Sequence, residues 1–211
     1  MRAAVVNPPF LNGRFSRTSR SPAINKSGTL YWPFWLAHGT GALEAAGHEV
    51  LFLDCPATGM DDDALVERVH GFRPGLVVVD TSTPSIYSDL RVASILKKAV
   101  PGSTVLLTGT HASALPELCL GLAPTLDGVA AGEYDHTLAE AAAAIEGGPE
   151  VRLPFAAIDA KCILDAGGTG IIMLSDEILV PRKHQWLIPG PEAHWAKVAF
   201  EKYFLATRRR G

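Results

Sequence analysis

The chain has 211 residues, of which 47% are hydrophobic and 19% are charged, and its formal net charge at pH 7 is −3. This composition excludes a disordered chain and gives no general sign of nucleic-acid binding. No run of about 18 uninterrupted apolar residues and no secretory signal pattern occurs, so we expect no membrane span and a cytoplasmic location.

Five short apolar runs alternate with helical patterns along residues 1–148. The predicted strands cover residues 3–6, 50–53, 76–79, 104–107 and 128–131. Four consecutive apolar residues at 76–79 indicate a central strand that is buried on both faces. The alternation predicts an α/β fold with a five-stranded parallel, doubly wound sheet of the Rossmann or flavodoxin type, and we expect the flavodoxin-like strand order.

Several connections carry local signals of their own. Residues 10–30 are polar and include Arg17, and a loop of this length is uncommon unless it has a task. The sequence Asp61-Asp62-Asp63 is predicted to supply an N-cap and a negative first turn for a helix that runs to about His70. Residues 108–113 are predicted to form a loop, with a short helix beginning near residue 115.

The alternation stops at the Gly-Gly-Pro sequence of residues 147–149. We predict a domain boundary there, with residues 1–148 as the ligand-binding domain and 149–211 as a C-terminal appendage. The appendage is expected to contain short strands at 171–174 and 178–180 and a terminal helix, and to add little to the sheet.

Ligands of open α/β sheets bind beyond the carboxyl ends of the strands. The predicted strand ends carry many small and hydroxyl-bearing residues, which suit a large polar ligand with amides and a phosphate. Each such turn alone is typical of any α/β domain. Replacing Gly109 or Gly132 by a bulky residue is expected to weaken ligand binding more than stability, because glycine permits close backbone approach.

Other chemistry stays open at this point. A flavodoxin-like domain for a nucleotide or a flavin is one alternative, and a small enzyme that uses His111, Glu133 and Asp80 is another. His111 can serve as a metal ligand or a general base, but a hydrogen-bonded loop histidine is commoner. The sequence has no GxGxxG after its first strand, no GxxxxGK[ST] and no GxSxG, so neither a phosphate loop nor a nucleophile elbow is expected.

Six segments occur in the order and at the spacing of a known family: 7–10, 27–33, 45–50, 80–86, 109–113 and 132–137. On these segments, residues 1–148 resemble the cobalamin-binding domain at the front of cobalamin-dependent radical S-adenosylmethionine enzymes. The resemblance implies cobalamin as the cofactor, with the corrin ring over the strand ends, and a separate catalytic protein as a possible partner. The residues expected to bind the cofactor are Asn7, Pro8, Pro9, Thr81, Ser82, Thr83, Pro84, Ser85, Ile86, Gly109, Thr110, His111, Ala112, Ser113, Gly132, Glu133 and Tyr134.

Two departures from the family pattern matter. Many cobalamin-binding domains carry DxHxxG after the first strand, and the histidine ligates cobalt; here Asn7 and Pro9 stand at the Asp and His positions. Proline offers no ring nitrogen, so no histidine ligand is expected from this loop, and we expect His111 not to ligate either. The three cysteines, Cys55, Cys119 and Cys162, form no CxxxCxxC motif, so no iron–sulfur site and no catalytic residue are predicted.

Residues 158–211 resemble the C-terminal end of sulfide:quinone-type flavin oxidoreductases, without the flavin-binding body of such enzymes. A natural fusion, a truncated gene and an assembly error are all compatible with a chain of this kind. The sequence therefore predicts a cobalamin-binding module without an iron–sulfur domain, with a non-catalytic fragment as the alternative.

Overall fold

Five parallel strands form the centre of the sheet in the computed structural model, which describes residues 1–11, 15–17, 23–24, 28–132, 134–147, 162–164 and 171–174. The described residues all belong to one compact unit, Met1–Ile178. The strands are β1 (Arg2–Asn7), β2 (Phe15–Ser16), β3 (Ala23–Ile24), β4 (Glu49–Asp54), β5 (Leu76–Thr81), β6 (Thr104–Gly109), β7 (Gly128–Ala131), β8 (Cys162–Leu164) and β9 (Ile171–Leu174).

The strand order of the main sheet is β4-β1-β5-β6-β7-β9-β8, and the pairs from β4 to β7 are all parallel. Counted along the chain, the five parallel strands have the order 2-1-3-4-5, which is the flavodoxin-like arrangement. The predicted fold class and strand order are therefore confirmed.

Helices cover both faces of the sheet. They are α1 (Phe34–Ala45), α2 (Cys55–Thr58), α3 (Asp62–Phe72), α4 (Ile86–Ala99), α5 (Thr110–Ala114), α6 (Pro116–Leu122) and α7 (Asp135–Gly147), and a short 3₁₀ turn (Thr83–Ser85) precedes α4. Side chains alternate along β5, so that Val77 and Val79 pack in the core that includes α3 and α4, whereas Leu76 and Val78 pack in the core that includes α1 and α7. Burial on both faces explains why the β5 run is continuously apolar.

Helices α1 and α7 approach each other closely at Gly39. A Cβ atom at this position would lie 3.1 Å from Leu138 and 3.2 Å from the Tyr134 ring. The absence of a side chain at Gly39 therefore leaves room for the Tyr134 ring, which is buried on this face of the sheet.

Two local predictions have different outcomes. The Asp61 side chain accepts a hydrogen bond from the backbone N–H of Ala64 at 2.9 Å, which confirms the predicted cap, and α3 continues to Phe72. Residues 108–113 are predicted to form a loop, but residues 110–113 belong to α5, because Gly109 turns the chain directly into a helical conformation.

Sheet pairing extends beyond the predicted domain. Strands β9 and β8 add to the β7 edge in antiparallel orientation, so the expectation that residues 150–211 add little to the sheet is wrong for these two short segments. Within the predicted 10–30 loop, β2 and β3 pair as a separate two-stranded sheet. The boundary at residue 148 stays a prediction, and the predicted strand at 178–180 and the terminal helix lie outside the described residues.

Among the helices that the structure describes, none is both long enough and apolar enough to cross a bilayer.

Candidate functional site

The loops that follow β5, β6 and β7 meet at the carboxyl edge of the sheet. The Thr81 hydroxyl donates to the Thr108 carbonyl oxygen at 2.6 Å and accepts from the Ala112 N–H at 3.0 Å. Nδ1 of His111 shares a 3.2 Å hydrogen bond with the hydroxyl of Thr83. The Gly132 N–H donates to the Ser113 hydroxyl at 3.0 Å. The structure therefore brings together the three strand-end loops that the sequence singles out.

Gly109 makes the contact between β5 and β6 possible. Its φ is +94°, in the region that favours glycine. A Cβ atom there would overlap the Asp80 carboxyl and the Thr81 carbonyl oxygen, and would lie 2.7 Å from the Thr81 nitrogen. The missing side chain thus faces the protein's own backbone. This geometry favours the opposite of the expectation from the sequence: replacing Gly109 should affect stability more than binding.

The hydroxyls of Ser82 and Ser85 point into the protein. Both residues are buried, and their Oγ atoms share a hydrogen bond of 2.6 Å. Ser85 Oγ also donates to Asp89 Oδ2 at 2.6 Å, and the Ser82 N–H donates to the same oxygen at 3.2 Å. These two serines hold the loop after β5 in place.

Arg17 joins the segment after β1 to this loop. Its Nη2 donates to Asp89 Oδ1 at 2.6 Å, and its Nη1 donates to Asn7 Oδ1 at 2.9 Å and to the Pro8 carbonyl oxygen at 2.6 Å. The side chains of Arg17 and Asp89 are only 1% and 0% exposed. The sequence prediction placed Arg17 in a polar loop and did not single out Asp89, so this buried ion pair is a new part of the site.

Three carboxyl groups lie within electrostatic reach of the single Arg17 guanidinium. Burial raises the pKa of Asp54, Asp80 and Asp89, and Arg17 opposes the rise in each. Asp54 also accepts from Asn7 Nδ2 at 2.9 Å. Burial raises the pKa of Asp80 to about 7, so this group titrates near neutral pH.

His111 is buried at the same edge. Its Nε2 atom has no hydrogen-bond partner among the residues that the structure describes. Burial lowers the pKa of His111, and the negative charge of Asp89 opposes this shift. The imidazole is therefore neutral at pH 7, and its Nε2 is a buried nitrogen without a hydrogen-bond partner among the described residues.

The other predicted residues are placed as follows. Thr83, Pro84, Thr110 and Gly132 are exposed, Pro9 and Ser113 are half-buried, and Pro8 is buried. Ile86 and Ala112 belong to the core, and Tyr134 is buried against α1. Glu133 lies outside the described residues.

A cavity of about 520 Å³ lies beside this edge, between the segment after β1 and the start of α3. Of the predicted residues, only Pro9 lines it. Two of its three acidic residues already have structural partners, since Asp61 caps α3 and Asp62 pairs with Arg91. The strand ends therefore stay the predicted site. In the described part of the chain, no group of three or more His, Cys, Asp or Glu side chains is arranged to hold a metal ion.

Comparison with known proteins identifies the family. Residues 20–142 match the model of the family described as B12 binding domain, which is more than half of the chain. Over 149 residues the chain is 28% identical to the anaerobic magnesium-protoporphyrin IX monomethyl ester cyclase of Rubrivivax gelatinosus, covering 70% of this chain and 25% of that protein. Over 125 residues it is 27% identical to an uncharacterized methyltransferase of Pyrococcus horikoshii, covering 59% of this chain and 27% of that protein.

The chain thus spans about a quarter of the length of these curated relatives. The family match includes the loops after β5 and β6 and, beyond β7, extends into α7 as far as residue 142. It confirms the cobalamin-binding resemblance seen in the sequence. The chain belongs to the B12-binding domain family, and its cofactor is cobalamin.

Proposed function

We propose that this chain holds cobalamin at the carboxyl edge of the sheet and presents it to a radical S-adenosylmethionine catalytic domain or protein. The observation that carries the proposal is the family match over residues 20–142, which covers the hydrogen-bonded loops after β5 and β6. The resemblance to the front domain of cobalamin-dependent radical enzymes supports the second half of the proposal, as do the relatives named as a cyclase and a methyltransferase.

The residues at this edge fit such a ligand. Cobalamin carries many amide groups, and Nε2 of His111 is a buried ring nitrogen without a partner among the described residues. Two exposed hydroxyl-bearing residues lie near it: Thr110 directly precedes His111 in α5, and Thr83 is its hydrogen-bond partner in the 3₁₀ turn after β5. When bound, cobalamin supplies a cobalt that can carry an alkyl group, in this family often a methyl group. The 211 residues contain no CxxxCxxC motif, so we assign the radical chemistry to a separate catalytic domain or protein.

Cobalamin retention tests the binding half of the proposal. Purified protein is mixed with hydroxocobalamin and desalted, and the visible spectrum is recorded; parallel samples receive FMN or ATP. We expect a corrin spectrum at a near-equal molar ratio and no retention of FMN or ATP. A protein that stays colourless with hydroxocobalamin, or that retains FMN instead, would overturn the proposal.

A matched pair of variants locates the ligand. Thr110 and Thr125 are both exposed, but Thr110 follows β6 at the carboxyl edge and Thr125 precedes β7 at the amino edge. Thr110→Trp is therefore expected to reduce cobalamin retention strongly, whereas Thr125→Trp should leave it unchanged. Equal retention by the two folded variants would contradict the assignment to the carboxyl edge.

His111→Ala is expected to weaken cobalamin binding about fivefold to tenfold, the effect of losing one hydrogen bond of about 1 kcal/mol. The spectrum of the bound corrin should not change, because Thr83 is a weak partner for orienting an imidazole toward a metal. Electron paramagnetic resonance of the cobalt(II) form checks this, with exposed His70→Ala as the control. An imidazole-nitrogen splitting that is present in the wild type and lost in His111→Ala would show that His111 ligates cobalt.

A further inference from the structure

Asp80 is the least compensated carboxyl group of the site. It is 8% exposed, and among the described residues its carboxyl accepts one hydrogen bond, from the Thr81 N–H at 3.0 Å. Asp54 accepts from the Asn7 side chain and the Ala57 N–H, and Asp89 accepts from Arg17 and both loop serines. A buried carboxylate with a single hydrogen bond is costly, so Asp80 has the strongest reason of the three to hold a proton.

The charges around Asp80 favour its neutral form. Arg17 attracts the ionised carboxylate, but its guanidinium is already bound to Asp89. Asp89 and Asp54 both repel a negative charge at Asp80. Tyr134 is also within electrostatic reach, and its phenol stays un-ionised because burial raises its pKa far above neutral.

The position of Asp80 places its carboxyl between two strand ends. Asp80 is the register partner of Thr108, and by the alternation along β5 its side chain shares a face with Leu76 and Val78. Gly109 lies so close that a side chain there would overlap the Asp80 carboxyl. Asp80 is therefore part of the carboxyl edge, beneath the loops that were assigned to the ligand.

We propose that Asp80 in its protonated form donates a hydrogen bond to an uncharged acceptor of the bound corrinoid, an amide carbonyl oxygen, so that binding is tighter below neutral pH than above it. This inference rests on the proposed function. A ligand that covers the edge removes the remaining solvent from Asp80, and further burial favours the neutral acid.

The expected pH dependence follows from the sign of this coupling. The free protein loses the Asp80 proton as the pH rises through about 7, and the complex requires that proton. The dissociation constant should therefore be flat below this pH and should rise by up to about tenfold for each pH unit above it. With titration at about 7, the affinity should fall by about thirtyfold between pH 6 and pH 8.5.

Equilibrium dialysis measures the dissociation constant from pH 6 to 8.5. The ligand is cyanocobalamin, because its cobalt carries cyanide in place of an ionisable water. Asp80→Asn keeps a donor but cannot ionise, so it should bind with little pH dependence. The control is Asp63→Asn, the same change at an exposed position in the first turn of α3, and it should keep the wild-type slope. A flat wild-type profile, or a slope that survives in Asp80→Asn, would overturn the inference.

Calorimetry of the wild-type protein gives a test that does not depend on the folding of a variant. Titration at pH 7.5 in two buffers with different heats of ionisation should show net proton uptake on cyanocobalamin binding. Binding without proton uptake overturns the role of Asp80 and leaves the proposed function intact. Failure to bind cyanocobalamin at every pH overturns both.

Discussion

Arg17→Ala is expected to lower the free energy of unfolding by about 3–5 kcal/mol, because it leaves Asp89 buried without its counter-ion. Both side chains are almost completely buried, with the Nη2 to Oδ1 distance at 2.6 Å. The same change removes the hydrogen bonds that Arg17 donates to the Asn7 side chain at the end of β1 and to the Pro8 carbonyl oxygen. Since whole domains are stable by only about 5–15 kcal/mol, a large fall in the urea midpoint should result.

Arg91→Ala is the matched control, because it also breaks an ion pair between an arginine and an aspartate, the pair of Arg91 and Asp62. The Arg91 and Asp62 side chains are 51% and 32% exposed. Exposed pairs of this kind contribute about 0–1 kcal/mol. Equal losses of unfolding free energy for Arg17→Ala and Arg91→Ala would show that the buried pair stabilises the fold no more than the exposed pair does.

The loss for Arg17→Ala should also grow with pH. Burial already raises the pKa of Asp89, and Arg17 opposes that rise, so removing Arg17 raises the pKa further. A carboxyl group whose pKa is raised in the folded state binds its proton more tightly there than in the unfolded chain. Stability is therefore lost as the pH rises through the folded-state pKa. Urea unfolding at pH 5, 6.5 and 8 should show the smallest difference from the wild type at pH 5, and a difference that shrinks with rising pH would contradict this account.

The Arg17–Asp89 pair also shows where sequence reasoning stops. The two residues are 72 positions apart, and no local pattern connects them. One signal was present: Asp89 lies between Ile86, Leu90 and Ala93 on the buried stripe of α4. A charged residue on an apolar stripe requires a buried partner, which points to a polar network but does not identify Arg17.

The elements that could be predicted depend on local signals. The apolar run of β5 is buried on both faces, and the alternation of strands and helices determines a parallel sheet whose strand ends share one edge. That geometry brought Thr81, His111 and Gly132 to one edge, as predicted. The direction in which each side chain points was not predictable, because it depends on contacts between loops. Ser82 and Ser85 are therefore buried, although the hydroxyl-rich composition of their loop suggested that their hydroxyls contact the ligand.

Gly109→Ala is expected to destabilise the protein by about 3 kcal/mol or more and to reduce cobalamin retention only as far as it reduces the folded fraction. A backbone with φ of +94° and ψ of −177° costs a residue with a side chain about 1–3 kcal/mol. The added methyl group would also overlap the Asp80 carboxyl and the backbone of Thr81, so β5 and β6 would have to separate at their carboxyl ends.

Gly102→Ala provides the control from the turn before the same strand. A Cβ atom there would meet no heavy atom within 4 Å, and the position needs no positive φ, so the change should stay within about 0.5 kcal/mol. Urea unfolding gives the stability of both variants, and cobalamin retained per folded molecule gives their binding. Suppose that Gly109→Ala has wild-type stability and yet loses cobalamin. Then glycine is needed at this position for ligand binding and not for the close contact between β5 and β6. We expect the opposite result, because the atoms that a side chain at Gly109 would meet belong to Asp80 and Thr81.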